Sequence, residues 1–270
     1  MDEQRYLPDP DRVGILTSTV LLAFALTHLV QAPEFNIEIQ LPGFFLLLPL
    51  NLPTAMTVLT AGLTAAGMDW LLHSHPSLNG RPTYQWWLLP TLSTFVIGVP
   101  LSTLPLRDAW WMGFLVAGAF LFFVFVAEYI VVDPGAPLYA TAMAGLTAIS
   151  YTLFLVLAVA LRYSGARLYL LVPALFLAAF LASLRILHLR LSGRWEYAWS
   201  AGIAFVCVQL ASGLHYWPLS PVQFGLILTG SLYALTSFGM NLMEDQPARR
   251  AVLEPAVILG LCWGLAVFIQ

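Results

Sequence analysis

Residues 109–132 read AWWMGFLVAGAFLFFVFVAEYIVV, and the fold turns on this run. It is 24 residues long, Glu128 is its one charged side chain, and Asp133-Pro134-Gly135 closes it. At about 1.5 Å of rise per residue, a helix of that length outreaches the hydrocarbon core of a bilayer. A helix is the economical spanning form, because it satisfies its own backbone hydrogen bonds without water.

Working outward, the same kind of run recurs at 13–30, 53–72, 84–104, 138–161, 167–189, 197–217, 222–243 and 252–269. Short connections rich in Arg, Asp, Glu, Pro, Gly and Asn separate them, and short connections favour antiparallel neighbours. The expected fold is an all-α polytopic membrane protein with about nine transmembrane helices in one bundle, a single domain over residues 1–270. The first run is too long for a signal peptide. Asp2, Glu3, Asp9 and Asp11 precede or open it, so it reads as an uncleaved anchor.

Composition agrees. Of 270 residues 60% are hydrophobic and 9% charged, and the mean hydropathy is +0.82. A soluble chain of this size could not hide so much apolar surface. A cytosolic enzyme, a nucleic-acid binder and a disordered tail are all excluded, and the net charge of -3 offers no footprint for a polyanion. All 11 basic residues are arginine, so no lysine can serve as Schiff-base former or phosphate binder. Cys207 and Cys262 sit mid-run and read as buried thiols.

One segment departs from the helical pattern. Residues 35–41 alternate, with apolar side chains at odd positions; Pro42-Gly43 fits a turn, and 44–50 is apolar but too short to span. The expectation is a short β-hairpin over 35–51 on the outer membrane face. The alternative is a helix from Phe44 kinked at Pro49 and Pro53.

Eight of nine tryptophans (Trp70, Trp86, Trp87, Trp110, Trp111, Trp195, Trp199 and Trp217) fall near run ends, as an interfacial aromatic belt requires. Orientation follows from arginine. With the N-terminus cytoplasmic, Arg5, Arg12, Arg81, Arg185, Arg190, Arg194, Arg249 and Arg250 lie inside, and Arg107, Arg162 and Arg167 outside. The arginine-free segment 31–52 is then outside, as is Gln270. The chain reads as integral to a membrane, a bacterial plasma membrane, with its N-terminus in the cytoplasm.

Small residues repeat every four positions in helix five (Ala140, Ala144, Ala148), helix six (Ala174, Ala178, Ala182) and helix nine (Gly260, Gly264), which lets helices approach closely. Packing within the bundle and a homodimer face both use such a pattern.

In this orientation the even-numbered helices end at the cytoplasmic face, and most ionisable groups gather there. Asp69, His73, Glu128, Arg185 and His188 are the candidate catalytic residues. Asp69 and His73 are one helical turn apart, a spacing that lets a carboxylate orient an imidazole or share a metal. Asp69, His73 and His75 are the candidate metal ligands, although zinc wants three or four groups in a tetrahedral set. The structural account of the same residues is pairing: Glu128 or Asp69 with Arg185, and Glu244 or Asp245 with Arg249. On the outer side His28, Gln209 and His215 define no site. No charge lies near a midplane, where ion-coupled carriers place carboxylates. The identity of a cofactor is unknown from the sequence.

Three functions fit. The first is a non-catalytic scaffold or partner-binding bundle. The second is a membrane-embedded enzyme acting on a lipid-linked substrate at the cytoplasmic face. The third is a transporter of a neutral solute, in which Pro90, Pro100 and Pro173 would break helices to open a pathway. The expected partners are membrane lipids, with other membrane subunits or a second copy of the chain beside them, and no nucleic acid.

Overall fold

The computed structural model describes residues 7–29, 35–41, 44–50, 52–78, 83–103, 108–191 and 193–269. Arg5, Arg81, Arg107, Gln270 and the Pro42-Gly43 turn fall outside the described residues, as do the side chains of His28 and Arg250. Among the described residues the chain forms nine α-helices and one two-stranded ribbon. The helices are α1 (Pro10–Leu29), α2 (Leu52–Leu72), α3 (Leu88–Thr103), α4 (Asp108–Val131), α5 (Tyr139–Tyr163), α6 (Leu168–Arg190), α7 (Tyr197–His215), α8 (Pro221–Met243) and α9 (Ala248–Phe268). Strands β1 (Phe35–Leu41) and β2 (Phe44–Leu50) pair antiparallel, with Phe35 opposite Leu50 and Leu41 opposite Phe44.

Seven helices, α2 and α4–α9, are long and apolar enough to cross a membrane. This is the mark of an integral membrane protein. The described part of α3 is 16 residues, about 24 Å at helical rise and short of the hydrocarbon thickness. It is shorter than the run 84–104 because Tyr84–Trp86 forms a separate 3-10 turn. Neither proline expected to open a pathway breaks its helix: α3 runs through Pro100 and α6 through Pro173. Pro90 is the third residue of α3, where the backbone nitrogen needs no helical partner.

The fold divides into two compact units, Met1–Ala142 and Met143–Gln270. In the first, α1 packs against α2, α3 and α4. It buries Val13, Leu16, Val20 and Phe24, one stripe at helical spacing. The close approaches fall at glycines. A Cβ on Gly98 of α3 would lie 2.6 Å from Thr57 Cγ2 of α2, and one on Gly118 of α4 would lie 2.8 Å from Leu21 Cδ1 of α1. A hydroxyl pair, Thr64 and Thr94 at 3.0 Å, joins α2 to α3 inside the apolar layer.

In the second unit α8 packs against α6, α7 and α9. Tyr151 of α5 hydrogen-bonds Thr236 of α8 at 2.6 Å. A Cβ on Gly225 would lie 2.6 Å from Val159 Cγ2 of α5. Gly230 carries the α8–α9 crossing, where a Cβ would lie 2.5 Å from the Cβ of Cys262. Gly260 and Gly264, the repeated pair in α9, have nothing within 4 Å of an added Cβ. The spacing was present, but at these two positions no neighbouring helix among the described residues comes that close.

Helix ends obey local rules. Ser220 and Gln223 form a reciprocal capping box at the start of α8. α5 and α8 end in the same six-residue closure. Ala166 N–H bonds the Leu161 carbonyl at 3.2 Å and Gln246 N–H the Asn241 carbonyl at 3.1 Å. The left-handed position is Gly165 (φ 64°) after α5 but Asp245 (φ 53°) after α8. Two of the belt tryptophans pack on other rings of the chain. Trp110 is 1% exposed and stacks on Phe114 at 4.9 Å, and Trp195 packs on His188.

Two predictions follow from backbone geometry and are read by thermal unfolding in detergent. Gly230→Ala costs about 1–3 kcal/mol because the Cβ atoms of two helices cannot both fit, whereas Gly260→Ala is neutral or slightly stabilising. Asp245→Gly stabilises by up to about 1 kcal/mol, because glycine takes the left-handed conformation without a Cβ penalty.

Candidate functional site

At one end of the first unit the start of α1 meets the ends of α2 and α4. The helical spacing of Asp69 and His73 does bring them together. His73 Nδ1 lies 2.8 Å from the Asp69 carbonyl oxygen and 3.5 Å from its Oδ2. The Thr83 hydroxyl donates to the other carboxylate oxygen. The carboxylate is half-buried and the imidazole largely exposed.

His75 does not join them. α2 ends at Leu72, so the backbone leaves the helical path before His75 and turns through Pro76. The His75 ring is 4% exposed and packs on Tyr129 of α4, with centroids 4.5 Å apart. Its Nδ1 accepts the Ser77 N–H at 3.1 Å, which puts the proton of the neutral ring on Nε2, a buried atom without a hydrogen-bond partner among the described residues. Asp69, His73 and His75 are therefore not one ligand set. Among the described residues, no three His, Cys, Asp or Glu side chains gather as a metal would require.

Asp133, just past α4, ties two connections together. Its Oδ1 accepts the Gly135 N–H at 2.9 Å, and its Oδ2 accepts the Ser77 hydroxyl at 2.8 Å. The Gly135 N–H first and the Ser77 hydroxyl second hold this carboxyl below the usual carboxylate range. Burial pushes the nearby His75 below the ordinary histidine value, and the Asp133 charge opposes that only in part. Beside them opens a pocket of about 700 Å³ lined by Leu7, Pro8, Asp9, Pro10, Arg12, Ser74, Pro76 and Tyr129. Arg12 stands 3.9 Å from Asp9 and lies over the Trp70 ring at 5.2 Å.

Glu128, also of the first unit, is fully buried in α4. Arg185 and His188 belong to the second unit, both buried near the end of α6. The His188 ring stacks on Trp195 at 4.0 Å and 20°, and its carbonyl accepts the Gly193 N–H at 3.0 Å. Just beyond, Arg194 donates to Glu196 at 2.8 Å. In the same unit a smaller pocket of about 310 Å³ is lined by Met143, Arg190, Ser237, Met240, Asn241, Glu244 and Glu254. So the endings of α6 and α8 do converge, through Arg190, Asn241 and Glu244 rather than through His188. A third groove of about 390 Å³ is apolar and lies along α7 and α8, from Ala198 to Phe238.

Sequence reading missed Arg12, Ser74, Tyr129 and Glu254 as partners in these pockets, and Asp133 as the tie beside the first. Arg12 had served only to set the topology, and the hydroxyls carried no spacing signal. The shared depth of the helix ends was the available clue. Chemically, the first pocket offers one guanidinium, one carboxylate and two hydroxyls at the end of an apolar layer.

The buried His75 sets a pH dependence. Its folded value lies below the ordinary 6.5, so its contribution to stability is complete above that value and is lost as pH falls toward the folded value. Between pH 7.5 and 5.5 the protein loses thermal stability in detergent, and His75→Phe, which keeps a ring against Tyr129, flattens that loss.

Comparison with curated proteins and with solved structures finds no similar chain. The family described as a protein of unknown function (DUF5656) matches residues 32–269, so the chain belongs to that family.

Proposed function

We propose that this protein is a non-catalytic integral membrane bundle, a scaffold that holds lipids or other membrane subunits. The observation that carries the reading is local neutralisation of carboxylates near the helix ends. Thr83 and His73 hold Asp69, Ser77 and Gly135 hold Asp133, and Arg194 holds Glu196. Groups so committed stabilise connections between helices. The outward apolar side chains of α9, among them Val257, Leu261, Leu265 and Phe268, offer a face to lipid or to a partner.

In this proposal α1 and α3 complete a set of nine spans. The N-terminus is cytoplasmic in a bacterial plasma membrane, and the ribbon of β1 and β2 lies on the outer face. The arginine distribution of eight inside to three outside supports that orientation.

Reporter fusions test the orientation: a cytoplasmic reading between β1 and α2 overturns it. Lipid mass spectrometry of membranes with and without the chain tests the function. The expected result is unchanged lipid species. A lipid that accumulates or disappears with the chain, and stops doing so in Asp69→Asn or His188→Ala, would establish the enzyme in its place.

A further inference from the structure

The pocket at the joined ends of α1, α2 and α4 is matched to one kind of ligand. Its charged groups are adjacent and opposite, Asp9 and Arg12. An anion alone would meet the Asp9 carboxylate, and a cation alone the Arg12 guanidinium. A zwitterion satisfies both. The guanidinium has its planar fork of donors for a phosphate. Beside the guanidinium stand three acceptors: Asp9 Oδ2, and the hydroxyl oxygens of Ser74 and Tyr129. Ser74 spends its proton on the Leu71 carbonyl at 2.7 Å, so its oxygen accepts. Such a cluster suits a primary ammonium, which has three N–H groups to give, and wastes its capacity on a trimethylammonium, which has none.

Position names the carrier of that zwitterion. The pocket opens where the apolar run of α2 ends at Leu72, one turn past the half-exposed Trp70 at belt level. Its volume, about 700 Å³, falls in the range of small-molecule sites and exceeds what a phosphate needs. Leu7, Pro8, Pro10 and Pro76 give it apolar walls.

We propose that this pocket binds the headgroup of a phospholipid carrying a primary amine, such as phosphatidylethanolamine, with the phosphate on Arg12 and the ammonium on Asp9. The proposal rests on the membrane insertion set out above and deepens its lipid partner. It does not depend on which face of the membrane the pocket occupies.

The test uses the full chain, delipidated in detergent. Native mass spectrometry measures its binding of phosphatidylethanolamine, phosphatidylcholine and phosphatidylglycerol of equal acyl length. The amine lipid is expected to bind about tenfold more tightly than the other two, the worth of one charge-assisted hydrogen bond. Asp9→Asn, which keeps a good helix cap, removes that preference. Arg12→Gln weakens all three lipids, and Arg12→Lys recovers part of the loss if the fold is intact. Equal binding of the three by the wild-type chain, a preference for phosphatidylglycerol, or an unchanged preference in Asp9→Asn overturns the proposal. Thermal stabilisation by soluble phosphoethanolamine without binding of the lipid also overturns it, in favour of a free headgroup. Reporter fusions that place the N-terminus outside, with the amine preference intact, would sink the orientation and leave this site standing.

Discussion

Inside an apolar layer no water can complete a hydrogen bond, so each polar group of the chain must be answered by another. Much of the structure follows from that constraint. Arg162 shows it most fully. From the last turn of α5 it donates to the carbonyls of His215 at 2.8 Å and Trp217 at 2.9 Å, at the end of α7. The His215 carbonyl is one of those that a helix end leaves outside its own ladder, and a cation there also opposes the negative end of the helix dipole. The same guanidinium lies over the Phe224 ring at 5.5 Å, so one side chain gathers the ends of α5 and α7 and the start of α8. The reciprocal cap of Ser220 and Gln223 then starts α8 without exposing its first donors.

Deeper in the layer, hydroxyls answer themselves. Ser93, Ser150, Thr147 and Ser231 each donate to the carbonyl four residues back in their own helix. Only a few reach across, as Thr64 to Thr94 and Tyr151 to Thr236 do. Apolar shape accounts for most of the remaining contact. It works through glycines such as Gly98, Gly225 and Gly230, which let backbones come within a distance that a methyl group would forbid.

The helices were legible because their signal is local. Apolar length and charged punctuation placed α4 at 109–132, against Asp108–Val131 in the structure, and α6 at 167–189, against Leu168–Arg190. The errors are local too. Pro90 and Pro100 counted as interruptions, yet the backbone accommodates both, and α9 starts at Ala248 rather than at 252. The candidate site was less legible. Spacing alone brought Asp69 to His73, since both lie on one turn. His75 was lost to the set because the helix ended first, and its burial against Tyr129 involves a residue more than fifty positions away. A four-residue repeat of small residues likewise cannot say which face has a neighbour, which is why Gly260 and Gly264 read as packing and are open.

By itself the sequence determined what kind of solvent the chain tolerates, where its helices run and at which ends its charges collect. These depend on each residue's own transfer preference and on its neighbours within a turn or two. Tertiary structure alone decided which groups distant in sequence meet. It set Arg12 beside Trp70, closed a pocket with Ser74 just past α2 and Tyr129 of α4, and gave Arg190, Asn241 and Glu254 a common cavity. Those encounters depend on helix rotation and crossing, which side-chain volumes at the interfaces fix and no local pattern encodes.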